Sequence, residues 1–168
     1  MFHVGDAVVH PIRGAGIVTD IEELERQEGD KSYYRIKLLA KPGTKVMVPV
    51  NAAEEHGVRE VISTVKLEHV WSVLTESPEK LPQHYKKRRR VIKERLRTGD
   101  ILTIAETLRD LAWRRQRKGS LNYRDRLLYQ KGTNLLAGEI AAAQEIDLEE
   151  AKTKIWEKIQ QGLPASSS

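Results

Sequence analysis

The 168-residue sequence predicts an α+β protein, with a small antiparallel β domain over residues 1–60 followed by an all-helical domain over residues 65–162. Three observations carry this reading. The first sixty residues fall into short β-branched and aromatic runs separated by Gly, Pro and Asp. Past Gly57 the apolar residues switch to spacings of three and four, the period of a helix with one buried face. Charge shifts as well: residues 1–79 hold 9 Lys+Arg against 13 Asp+Glu, residues 80–131 hold 17 against 5, and residues 132–168 hold 3 against 6.

In the β half, Val4, Ala7 to Val9, Ile17 to Ile21, Tyr33 to Leu39 and Lys45 to Val50 are the expected strand material. Tyr34, Ile36 and Leu38 alternate with Arg35 and Lys37, the period of a strand with one wet face. Gly14 and Gly16 are expected to allow a tight turn, and Glu28-Gly29-Asp30 reads as a hairpin tip. Four or five strands in so short a length predict a strongly bent sheet or barrel.

The helical half begins with Val65 to Leu74, where Val65, His69, Val70 and Val73 share helical spacing until Ser77-Pro78 and Pro82 interrupt. A basic helix follows from Tyr85 to Arg97. Thr98-Gly99-Asp100 breaks and recaps the chain ahead of the stripe Ile101, Ile104, Ala105, Leu108, Leu111 and Ala112. The next helix is expected to start near Asn122, with Asp125 at the capping-box distance, and to run through Leu127, Leu128, Leu135, Leu136 and Ile140. In the last, Asp147 caps with Glu150 three residues on, Ile155 and Ile159 mark the buried side, and Gly162 with Pro164 ends it. Ala165 to Ser168 read as a frayed end. No internal repeat is present.

Several function classes are disfavoured. The chain has no cysteine, which rules out disulfides, thiolate catalysis and cysteine-held metal, and fits a reducing compartment. No apolar run approaches the roughly 18 residues that cross a bilayer, and the N-terminus lacks a leader pattern, so a cytoplasmic protein without membrane contact is expected. His3, His10, His56, His69 and His84 never fall at metal-ligand spacing, and neither a phosphate-cradling glycine loop nor a nucleophile elbow occurs. Glu22, Glu23 and Glu25 read as a solvated cluster. Neither an enzyme, a cofactor nor a metal is expected.

The basic helix points to a polyanion. At 100° per residue, Lys86, Arg89, Arg90, Lys93 and Arg97 share one side, while Tyr85, Ile92 and Leu96 share an adjacent one. Eight basic residues between Lys86 and Arg97 face only Glu94, so pairing within the helix cannot neutralise them. A solvated charged face is the plain alternative. DNA phosphates, whose counterions such side chains would release, are the favoured partner.

Val4-Gly5-Asp6-Ala7-Val8-Val9-His10-Pro11 followed by Gly14-Ala15-Gly16 resembles the opening of the CarD family of bacterial transcription regulators. Val46-Met47-Val48-Pro49, Gly57-Val58-Arg59-Glu60, Thr98-Gly99-Asp100, Leu108-Arg109-Asp110-Leu111 and Gly138-Glu139 match further family segments in order. The resemblance spans roughly residues 2–145. It implies a Tudor-like N-terminal domain that docks on the RNA polymerase β subunit, and a helical domain that touches promoter DNA at the upstream edge of the transcription bubble. Met47, Val48 and Pro49 would form the docking strand, for which a plain buried strand is the alternative.

The resemblance also assigns roles. The aromatic at the start of the basic helix wedges into the minor groove in the family, where it is usually Trp; here Tyr85 takes that place. Two readings of Tyr85 stay open, an exposed wedge or the first core residue. The family's phosphate contacts fall on Lys87, Arg90, Arg126 and Lys131. Trp71, Trp113 and Trp156 offer no clear substitute for the wedge, and Trp113 reads as core. No recognition helix for base reading is evident. The expected protein is a monomeric, nucleoid-associated regulator that stabilises the open promoter complex. The rivals are a nucleoid coat protein without polymerase contact and a helix-turn-helix repressor.

Overall fold

The dry side of the alternating run, Tyr34, Ile36 and Leu38, lies at the centre of the β half, each residue 1% exposed. This computed structural model describes residues 1–25 and 31–165. The strands are β1 (Ala7–His10), β2 (Gly14–Leu24), β3 (Lys31–Leu38), β4 (Lys45–Pro49) and β5 (Arg59–Glu60). They form one antiparallel sheet in the order β4-β3-β2-β1-β5, in which, among the described residues, β4 borders only β3. Its core gathers Phe2, Val8, Val18, Tyr34, Ile36, Leu38, Val48, Ala53 and Val58. The buried Tyr34 hydroxyl accepts from the Phe2 backbone N–H at 3.0 Å, so each of these two groups has a partner.

Three details depart from the sequence reading. Val4 is in no strand and is 61% exposed, because Gly5 at φ +95° turns the chain before β1. Gly14, at φ +93°, serves the expected turn, but Gly16 lies within β2 for a different reason. A Cβ there would fall 2.6 Å from both Ile36 Cγ2 and the Lys37 carbonyl oxygen, so it lets β2 and β3 approach. Val50 enters a short 3₁₀ turn, Val50–Ala52, instead of extending β4. The expected tip at Glu28-Gly29-Asp30 and the end of the chain at Ser166 to Ser168 lie outside the described residues.

Five helices follow: α1 (Thr64–Thr75), α2 (Tyr85–Arg97), α3 (Ile101–Lys118), α4 (Tyr123–Gln144) and α5 (Leu148–Gly162). Four N-caps are made by side chains. Ser63, Asp100, Asn122 and Asp147 each accept a backbone N–H from their own first turn. On α1 the buried face is Leu67, Val70, Val73 and Leu74, leaving Val65 82% exposed and His69 in solvent. The 67, 70, 74 register buries one more large apolar side chain and no imidazole. A second core, from Ile62 to Ile159, joins all five helices.

The sheet and the helices meet along α4. Leu135 touches the position where a Gly14 side chain would begin, at 3.5 Å, and Ala15 lies 3.6 Å from the corresponding point on Gly138. Beside them the Arg59 guanidinium grips Glu139 with two bonds of 2.6 and 2.8 Å. Glu139 is 1% exposed and also accepts from the Ile62 N–H at 2.8 Å. Its hydrogen bonds to Arg59 raise that guanidinium's pKa against the opposing effect of burial. A buried carboxylate satisfied by both a guanidinium and a linker amide ties the two cores together.

Candidate nucleic-acid interface

Residues 85–97 form α2 because the segment holds good helix formers and neither Gly nor Pro. Its buried stripe is Arg88, Ile92 and Leu96, at steps of four. Arg88 is the departure from expectation. It is 2% exposed; its Nε donates to Asp125 Oδ2 at 2.8 Å, and its Nη1 donates to the Gln83 carbonyl at 2.7 Å. Asp125 is itself fully buried on α4. Its backbone N–H reaches the Asn122 cap at 2.9 Å, but its carboxylate faces α2, so only half of the capping box forms.

Two more guanidiniums approach the same carboxylate, Arg89 and Arg114, each with its Nε 3.9 Å from an Asp125 oxygen. Arg89 was expected on the open cationic side, yet its side chain is 20% exposed. Its Nε and Asp125 Oδ1 lack hydrogen-bond partners among the described residues. Desolvation, with Arg88 nearby, lowers the Arg114 pKa. Arg95 turns to Asp110 at 3.5 Å. Burial raises the Asp110 pKa even against Arg109 and Arg95, its cationic neighbours. The expectation that charge in this helix goes unpaired therefore holds within α2 and fails between helices, where Asp125 and Asp110 supply the partners.

What remains is a free stripe. Lys86, Lys87, Arg90, Lys93 and Arg97 are exposed and make no ion pair among the described residues. Tyr85 leads it, 47% exposed, so it is no core residue. Its ring stacks on His84 with centroids 5.0 Å apart, and the Arg89 and Lys86 cations lie 5.0 and 6.0 Å from its centre.

The Arg88–Asp125 pair sets the first turn of α4 beside the first turn of α2, which brings exposed Arg126 to the same end as Tyr85. Lys131, five residues further along α4, shares a groove of about 360 Å³ with Lys93 and Arg97. Of the expected cations, Arg89 alone is substantially covered. Sequence reasoning missed Tyr123, 67% exposed beside Arg126, although an aromatic directly after a cap residue was visible. Trp113 is half-buried under the Arg117 guanidinium at 4.5 Å, and Trp71 and Trp156 pack against the helical core.

At the far side of the sheet, β4 is an edge strand. Met47 is 41% exposed, while Val48 is 4% exposed and packs into the β core, and Pro49 is half-buried opposite Tyr33. Such an edge leaves backbone groups available to another strand.

Comparison with known families identifies both halves of the chain. Residues 2–62 match the CarD-like/TRCF RID domain, and residues 69–156 match the CarD C-terminal domain, more than half of the chain. The chain belongs to the CarD family. The CarD assignment makes the sheet a Tudor-like domain within an α+β chain. A CarD relative in Bacillus subtilis (strain 168), named "Putative transcription factor YdeB", is 30% identical over 155 residues, covering 91% of this chain and 99% of the relative. The CarD-like segments of this sequence also meet in space. Arg59 contacts Glu139 and, at 3.4 Å, the Gly99 carbonyl, so three separate motifs converge on the junction of the two cores. No helix among the described residues is long and apolar enough to cross a membrane.

Proposed function

We propose that this CarD-family protein regulates transcription by binding the RNA polymerase β subunit through the β4 edge and promoter DNA through α2 and α4. The open cationic stripe on α2, led by an exposed Tyr85, is the observation that carries the proposal. Lys86, Lys87, Arg90, Lys93 and Arg97, with Arg126 and Lys131, neutralise phosphates and release counterions, which gives affinity without base reading. Tyr85 wedges at the upstream fork of the bubble, where unstacking is already partly paid for by melting. Its flanking cations keep the ring close to the backbone phosphates.

The other end of the chain acts as the tether. An edge strand with an exposed Met47 fits addition to a partner sheet, with Met47 supplying adaptable apolar contact. Tethering raises the effective concentration of a weak DNA contact, so one protein holds the fork open. The protein acts as a monomer in the nucleoid, and neither a cofactor nor catalysis enters. Met47→Glu tests the tether: it should abolish capture of the β subunit while leaving duplex affinity intact. Unchanged capture, or no capture by the native chain, leaves a nucleoid coat protein as the better reading.

A further inference from the structure

The turn between β1 and β2 is built to face the helices. His10 Nδ1 accepts the backbone N–H groups of both Ile12 and Arg13 at 3.1 Å, which fixes the turn and points its side chains outward. Ile12 is 77% exposed and Arg13 is exposed. Pro11 and Ile12 form one wall of the groove that holds Lys93, Arg97 and Lys131. An adjoining groove of about 320 Å³ holds Arg13 and Lys41 opposite Leu127, Gln130 and Lys131. Ile12, Lys131 and Leu135 border both, so the two are one continuous surface.

Its charge is one-sided. Lys93, Arg97, Lys131, Arg13 and Lys41 line the two grooves, and no Asp or Glu does. None of the five makes an ion pair among the described residues. The β half as a whole is acidic, which makes two uncompensated cations at this one place notable. The Arg59–Glu139 clamp and the contact between Gly14 and Leu135 hold the turn in register with α4.

We infer that the β domain is itself part of the DNA interface: Arg13 and Lys41 bind backbone phosphates of the duplex beyond the Arg97 end of α2. The inference rests on the reading of α2 and α4 as a DNA face and extends it across the domain junction. Tyr85 and Arg97 stand about 18 Å apart along the helix, from 1.5 Å per residue. If α2 follows the strand, the turn meets phosphates roughly five base steps from Tyr85, at about 3.4 Å per step. The apolar Ile12 side chain then covers sugar edges between the cations.

Fluorescence anisotropy of a blunt duplex, without polymerase, across 50–200 mM salt tests this on the full chain. Arg13→Gln with Lys41→Gln should weaken binding roughly tenfold or more at 50 mM and lower the salt slope by about two. Lys41→Gln alone, which leaves the turn untouched, should lower the slope by about one. Lys87→Gln with Arg90→Gln is the control on α2. If that control loses affinity while the Arg13 and Lys41 variants bind as the native chain does, the inference fails and the DNA face stands. If neither pair alters binding, the DNA face falls and the inference falls with it.

Discussion

Asp125 is one carboxylate, 1% exposed, facing Arg88, Arg89 and Arg114. Burying one anion among three cations is tolerable only because Arg88 also donates to two carbonyls and the other two guanidiniums keep part of their surface in water. Asp125→Ala would leave Arg88 buried and uncompensated, a cost of about 3–5 kcal/mol, readable as a lower denaturation midpoint. Tyr85→Ala, at an exposed position, should change stability by less than about 0.5 kcal/mol. The spacing of 88, 92 and 96 did carry the signal that Arg88 shares the buried side. Its partner, 37 residues away, did not, and without a partner a basic residue reads as solvated. His10 makes a further prediction. Burial first, then Arg13 and His56, lower its pKa below the usual 6.5. The unfolded chain therefore takes up the proton more readily, so stability from neutral His10 is present above pH 6.5 and is lost as pH falls through the lower folded value. Urea midpoints at pH 7.5 and 5.5 should differ, and His10→Gln should shrink the difference. An equal difference in the variant would remove His10 from the account.

Helix ends were the most legible elements, because Asp100, Asn122 and Asp147 state their role chemically and each makes the cap its position implies. The strands were nearly as clear where alternation ran long, as in Tyr34, Ile36 and Leu38. Short or paired features were not. β5 has two residues, too few for any period, and is defined only by its pairing with Val8 and Val9. Gly16 looked like turn chemistry because it follows Gly14 so closely; its real constraint is the β3 backbone across the ladder. Gly16→Ala should consequently cost about 1–3 kcal/mol by forcing β2 and β3 apart, measured by chemical denaturation. On α2 the division of labour was visible in outline, since the cationic side was readable from spacing. Which cations were already spoken for depended on α3 and α4, and Arg89 was lost from the open set because Asp125 on α4 draws it in.

The whole molecule is two cores that pack along α4 and are clamped there by the buried Glu139 carboxylate, and that junction gives the proposed mechanism its stiffness. A tether at β4 can position a wedge at Tyr85 only if the β domain and the helices move together, and Glu139 is the group that binds Arg59 and the linker amide of Ile62 at once. Glu139→Ala leaves the buried Ile62 N–H without its acceptor while Arg59 can turn to solvent, so it should destabilise the fold by about 1–3 kcal/mol and expose the segment around residues 57–65 to protease. Sequence alone indicated a boundary there and offered no account of the packing across it, because Arg59 and Glu139 are 80 residues apart. The lifetime of open promoter complexes, after a competitor captures released polymerase, tests the central claim most directly. The native protein should lengthen that lifetime on several promoters, and Tyr85→Ala should lengthen it less while retaining its hold on polymerase. Equal lifetimes with and without the native protein would contradict the account.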